Sequence, residues 1–239
     1  MHRFEAFNVF FDMGYILYVL IPGMIISGAA SLMVRTAFNR YSKVRTRRGF
    51  TGAQAAKVLL DNAGIHDVDI VATQGHLSDH YNPQSRQLAL SGDVYGSTSV
   101  AAVGIACHEA GHAIQHAEGY APLGLRSALV PMASVGSNIG YLVMVVGLFM
   151  SSAGIVGFGA ILFSAVLLFQ LVTLPVEFDA TARAKRLVLE AGIVDTDERV
   201  GIDRTLNAAA LTYVAAVIST LLTLLYYLMR AGLLGGRDD

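Results

Sequence analysis

The chain contains no tryptophan, a single cysteine and five prolines, and only 15% of its 239 residues are charged. With Cys107 alone, an intramolecular disulfide is excluded, and a reducing compartment fits. A soluble domain normally carries about a quarter charged residues, so the shortage of charge argues against an ordinary soluble fold. The formal net charge of −1 and the missing tryptophan point to no acidic or nucleic-acid partner. No internal repeat or low-complexity linker is evident.

Apolar residues, by contrast, make up 54% of the chain, and its mean hydropathy is +0.53. Four stretches reach the roughly 20 apolar residues that cross a bilayer: Gly14 to Val34 with Pro22 inside, Ser127 to Met150, Ala153 to Val176, and about Leu206 to Met229. The second and third are joined only by Ser151-Ser152. Gly136 and Gly140, four apart in the second, together with the glycine-rich third, predict close helix packing in lipid, and Asn138 is expected to hydrogen-bond a neighbouring helix. Gly136 and Gly140 suit packing within the chain as readily as dimerisation.

The first span exceeds a signal-peptide apolar core and lacks a basic segment before it, so it reads as an anchor. Arg35, Arg40, Lys43, Arg45, Arg47 and Arg48 follow at once, and Arg183, Lys185, Arg186, Arg199 and Arg204 lie between the third and fourth spans. Only Arg230 and Arg237 follow the fourth. Basic loops mark the cytoplasmic side. The expectation is therefore one multi-pass domain over 1–239 in the cell (inner) membrane, both termini outside, with segments 35–126 and 177–205 cytoplasmic.

The longer of these segments reads as a small α/β unit. Thr51 with Gln54 forms a capping box for a helix through about Asn62, stopped near Gly64. Val68 to Thr73 and Gln87 to Ser91 predict short strands on either side of a polar loop, Gln74 to Arg86. Ser97 or Thr98 is placed to cap a long, largely apolar helix running to about His116.

That helix carries His108-Glu109-Ala110-Gly111-His112. Residues four apart share a helical face, so His108 and His112 can offer ring nitrogens to one zinc ion. Glu109 then projects beside the metal, placed to take a proton from water. The pattern fixes only three residues and arises by chance in about one chain per hundred of this size, so context has to confirm it. Cys107 faces away from the two histidines and reads as a packed side chain. His116, one i+4 step further, diverges from a tetrahedral site and reads as a supporting or exposed residue. His66 and His76 read as surface or satisfied histidines.

A catalytic zinc site needs a third protein ligand. Just past the third span stands Pro175-Val176-Glu177-Phe178-Asp179, with Pro175 suited to begin a helix and Glu177 in its first turn. Glu177 is preferred over Asp179 as that ligand.

Three separated motifs carry a resemblance that covers nearly the whole chain. They are Leu77-Ser78-Asp79-His80-Tyr81-Asn82-Pro83, the run from Ala106 to His116, and Leu174-Pro175-Val176-Glu177-Phe178-Asp179. Together with the order of spans they resemble the YugP-like neutral zinc metallopeptidases of bacterial membranes, compact relatives of the HtpX and CAAX prenyl protease group. The resemblance implies a mainly α membrane protein with a zincin-like cytoplasmic α/β unit, and zinc held gluzincin-fashion by His108, His112 and Glu177. It further implies peptide hydrolysis with Glu109 as general base. In the wider group an Asp four residues after the ligand Glu orients a zinc-bound His; position 181 here is Thr, which leaves that task to Asp179 or Asp79. His80 and Tyr213 are candidate donors to the developing oxyanion, and a strand of the α/β unit could bind an extended substrate by backbone pairing. The expected partners are a peptide or membrane-protein substrate and the lipid bilayer.

Two other classes compete. A zinc-binding membrane scaffold or chaperone partner would close its metal site with a fourth protein ligand, which an acidic residue at position 109 argues against. A transporter finds little support in spans holding Asn138 and Gln170 but no charge.

Overall fold

A computed structural model of the chain describes residues 12–234. The elements in chain order are α1 (Met13–Tyr41), α2 (Gly52–Asn62), β1 (Asp69–Thr73), β2 (His80–Asn82), β3 (Gln87–Ser91), the single turn α3 (Gly92–Tyr95) and α4 (Val100–Ala117), followed by α5 (Ala121–Phe149), α6 (Ala153–Glu190) and α7 (Thr196–Arg230). The protein is mostly helical. Helices α1, α5, α6 and α7 are each long and apolar enough to cross a membrane. The expected outer termini, with Arg237, lie outside the described residues.

Two compact units divide these elements, one of Met1–Ala29, Leu125–Thr173 and Thr212–Asp239, the other of Ala30–Gly124 and Leu174–Leu211. In the first, α5 and α6 form a hairpin through Ser151, whose positive φ of 51° tightens the turn. A Cβ on Gly136 would stand 2.4 Å from the Leu162 carbonyl, and one on Gly140 2.7 Å from the Phe163 nitrogen. These glycines therefore serve packing within the chain, backbone against backbone. Asn138 departs from expectation. Its amide donates to the Ser134 carbonyl 2.9 Å away on its own helix, satisfying itself where lipid offers no partner. A π-helical turn, Ile16–Leu20, precedes Pro22, which has no N–H to continue the ladder.

In the second unit a three-stranded sheet of order β1-β3-β2 lies beside α2 and α4. β1 and β3 are parallel with Val71 opposite Ala89; β2 is antiparallel with Tyr81 opposite Leu88. β2 was expected to be part of a polar loop. Three residues are too few to show an alternating pattern, and strand pairing rather than propensity forms it. The capping box is as expected: the Thr51 hydroxyl accepts from Gln54 N at 3.2 Å, and Thr51 N donates to the Gln54 side chain at 3.0 Å. Gly64, at φ 69°, ends that helix.

The cap of α4 is Ser99, not Ser97 or Thr98: its hydroxyl accepts from Ala102 N at 3.2 Å. Thr46 N donates to the Thr98 carbonyl at 2.9 Å, which holds the preceding residues extended and shifts the helix start by one. Nearly all of α4 is buried. Its Val103, Ala106, Cys107, Ala110 and Ile114 share one core with Leu59 and Leu60 of α2, Leu88 and Leu90 of β3, Ala184 and Val188 of α6, and Ile202 and Leu206 of α7.

Pro175 also departs from expectation. It lies inside the unbroken α6 rather than starting a helix. The bond its missing N–H would make is lost, yet the buried stripe Val176, Ala180, Ala184 and Val188, one residue per turn, keeps the helix on its course.

Candidate metal centre

The zinc motif sits mid-way along α4 and faces α6. Two features of the sequence allow the approach. Gly111 has no side chain, and a Cβ there would lie 2.9 Å from the Ala180 carbonyl. Ala180 is itself small and fully buried. With the backbones this close, Glu177, one turn before Ala180, reaches the histidines. Its Oε2 lies 3.2 Å from His108 Nε2 and 3.5 Å from His112 Nε2.

The ligand atoms of His108, His112 and Glu177 all lie within 4.8 Å of one another. Zinc bonds of about 2.0–2.1 Å at tetrahedral angles separate ligand atoms by roughly 3.4 Å, which the two carboxylate–imidazole distances straddle. Two imidazoles and a carboxylate are also the donor types of an open, hydrolytic zinc site. The residues fit the ion.

The other ring nitrogens are held. In the tautomer that leaves Nε2 for a metal, His112 Nδ1–H donates to the Gln115 side-chain oxygen at 3.0 Å, and His108 Nδ1–H donates to the Thr181 hydroxyl at 3.3 Å. Gln115 is fully buried, and its amide nitrogen donates to the Val176 carbonyl and to Asp179 Oδ2, both at 2.8 Å. Asp179 in turn accepts from Arg183 Nε at 2.5 Å, while Arg183 Nη1 donates to Glu118 at 2.6 Å. Such outer hydrogen bonds fix imidazole orientation. Burial alone would lower the His112 pKa, but its bond to Glu177 and the nearby charges of Glu109 and Glu177 outweigh this, so the value lies above that of an ordinary histidine. A site this rich in carboxylate favours a cation.

The candidates thus sort themselves by place. His108, His112 and Glu177 come together; Asp179, the rival carboxylate, is engaged by Gln115 and Arg183. Where Asp179 or Asp79 was expected behind a ring, the structure has Thr181 behind His108 and Gln115 behind His112. Asp179 acts on His112 only through Gln115. Asp79 accepts from Ser91 N at 2.8 Å and tethers its loop to the end of β3. Gln115 went unseen in the sequence, although its i+3 spacing from His112 was a usable signal. Glu109 is largely buried next to the cluster.

His116 is no part of the cluster; its Nδ1 pairs with the Tyr81 hydroxyl at 2.8 Å. Neighbouring strand residues point to opposite faces, so His80 faces away from the side on which Tyr81 meets α4. It is exposed, with Nδ1 on the Ser78 carbonyl at 2.8 Å. Tyr213 belongs to the first unit, not to the second, which holds the cluster. His66 and His76 are exposed beside Asp61 and Asp93. Cys107 is buried, which pushes its thiol up to about 12.

Residues 16–232 match the family described as "Putative neutral zinc metallopeptidase". The chain belongs to that family. This metallopeptidase is also 41% identical to the "Putative membrane protease YugP" of Bacillus subtilis (strain 168) over 223 residues, which cover 93% of the chain and 98% of that relative. No solved structure matches it. Family, donor set and apolar helices agree on a zinc-dependent membrane peptidase.

Proposed function

We propose that the chain is an integral-membrane zinc metalloendopeptidase of gluzincin type, with His108, His112 and Glu177 as ligands and Glu109 as general base. It works at the cytoplasmic face of the inner membrane on peptides or membrane-protein segments. The observation that carries this is the spacing of 3.2 and 3.5 Å between one Glu177 oxygen and two imidazole nitrogens, each imidazole held from behind. Zinc held by these three residues would supply Lewis acidity toward the scissile carbonyl and the attacking water.

The remaining work falls to side chains. Glu109, next to His108 in sequence and charge-coupled to His112, takes the proton of the attacking water and returns it to the leaving amine. Its near-complete burial keeps that carboxylate out of bulk water. β2 is an edge strand, and among the described residues no strand pairs with its outer side, which suits an extended substrate held by its backbone. His80 begins that strand. The basic segments that flank the spans support the cytoplasmic placement.

The test is Glu109→Gln in detergent-purified protein against an unfolded protein substrate. Removal of a general base lowers turnover by about 10²- to 10⁴-fold, while zinc content stays that of the wild type. Wild-type hydrolysis by the Gln variant would sink the assignment.

A further inference from the structure

A cleft of about 760 Å³ opens along α6 and α7, and the peptidase reading leaves it unused. Its lining combines Phe178, Leu189 and Leu211 with Lys185, Arg199 and Asn207. Both helices change character here. On α6 no charge occurs from 153 to 176 and charges begin at Glu177; on α7 charges end at Arg204, and 205–229 carry none. Phe178 and Leu211 are 46% and 42% exposed at that border. Large apolar side chains beside cations suit the level at which lipid headgroups meet acyl chains.

The cations are incompletely matched. Arg186 has Glu190 at 3.3 Å, but Lys185 and Arg199 share one carboxylate, Asp203, at 4.0 and 3.5 Å. The Lys185 ammonium donates to Asn207 at 2.5 Å, a neutral partner. Arg199 Nε is buried and makes no hydrogen bond among the described residues. Two positive charges against one acid leave a surplus positive charge in a partly apolar cleft.

We infer that this cleft is a binding site for an anionic phospholipid, its phosphate on Lys185 and Arg199 and its chains over Phe178 and Leu211. A small anion has no use for the apolar half. The apolar rim, at the border of the charge-free stretches 153–176 and 205–229, favours lipid over an acidic peptide. Thr181, which holds His108, lines the same cleft, so the lipid sits one side chain from the metal centre. The inference goes beyond the peptidase reading, and its test involves no turnover.

The experiment is lipid binding to the full chain by native mass spectrometry, with phosphatidylglycerol and phosphatidylcholine of identical acyl chains. Phosphatidylglycerol is expected to bind at least about tenfold tighter. Lys185→Gln with Arg199→Gln should weaken it by about thirtyfold, since each cation at an anionic surface contributes several-fold. Lys57→Gln with Arg86→Gln, a pair of exposed cations elsewhere, should leave it unchanged. Ala210→Phe fills the cleft without altering charge and should also block binding. Equal binding of the two lipids, or unaltered binding by both cleft variants, would overturn the site. Displacement by inorganic phosphate alone would make it a small-anion site, and displacement by an acidic peptide a substrate subsite; either overturns the lipid assignment.

Discussion

Gln115 makes three hydrogen bonds from one buried amide: it accepts from His112 Nδ1 and donates to Val176 and Asp179. No smaller or apolar side chain reproduces that set. Gln115→Ala should therefore lower zinc affinity by about 10- to 100-fold, the usual effect of losing an outer-sphere partner, although all three ligand side chains are retained. Thr181→Val, nearly isosteric, removes only the acceptor for His108 and should act in the same direction. Chelator competition on the purified protein measures both; unchanged affinity in both would deny that these residues orient the rings. At this scale the sequence was legible where chemistry follows spacing within one helix, as with His108 and His112. It was illegible where partners lie far apart in the chain. Thr181 stands 73 residues from His108, and only folding shows that its hydroxyl lies behind that ring in place of the missing Asp.

Among elements, the crossing of α4 with α6 decides the site. Gly111→Ala would set a methyl 2.9 Å from the Ala180 carbonyl, and a backbone atom cannot swing aside. Overpacking of this kind costs about 1–3 kcal/mol and moves Glu177 away from the histidines. Gly104→Ala, on the same helix, meets the branch methyl of the Ile202 side chain at 3.1 Å, looser than 2.9 Å and against a side chain rather than backbone, and should be milder. Thermal unfolding with parallel zinc titration separates them: only Gly111→Ala should both lower the midpoint and weaken zinc binding. Equal effects would mean the close approach is not what positions Glu177. Helix α2 was readable because its capping box and terminal Gly64 are local signals. β2 was not, because three residues become a strand only by pairing with β3. Pro175 misled for the opposite reason: a local signal for a helix start was overruled by the buried stripe that runs through it.

For the molecule as a whole, composition announced the membrane, and four helices of sufficient length and apolarity carry it. Orientation rests on the basic segments. A single cysteine at position 57, made as Lys57→Cys on the exposed face of α2, should react with a membrane-impermeant maleimide only after cells are permeabilised. The native thiol stays silent because Cys107 is buried and its pKa is pushed up to about 12. Labelling in intact cells would place the catalytic unit outside. The central claim, however, is the metal site, and elemental analysis of the purified protein tests it most directly, with Glu177→Ala and Glu109→Gln alongside. About one zinc per chain is predicted, kept by Glu109→Gln and lost by Glu177→Ala. A wild type without zinc, or a Glu177→Ala variant that holds zinc as tightly as the wild type, would contradict the account.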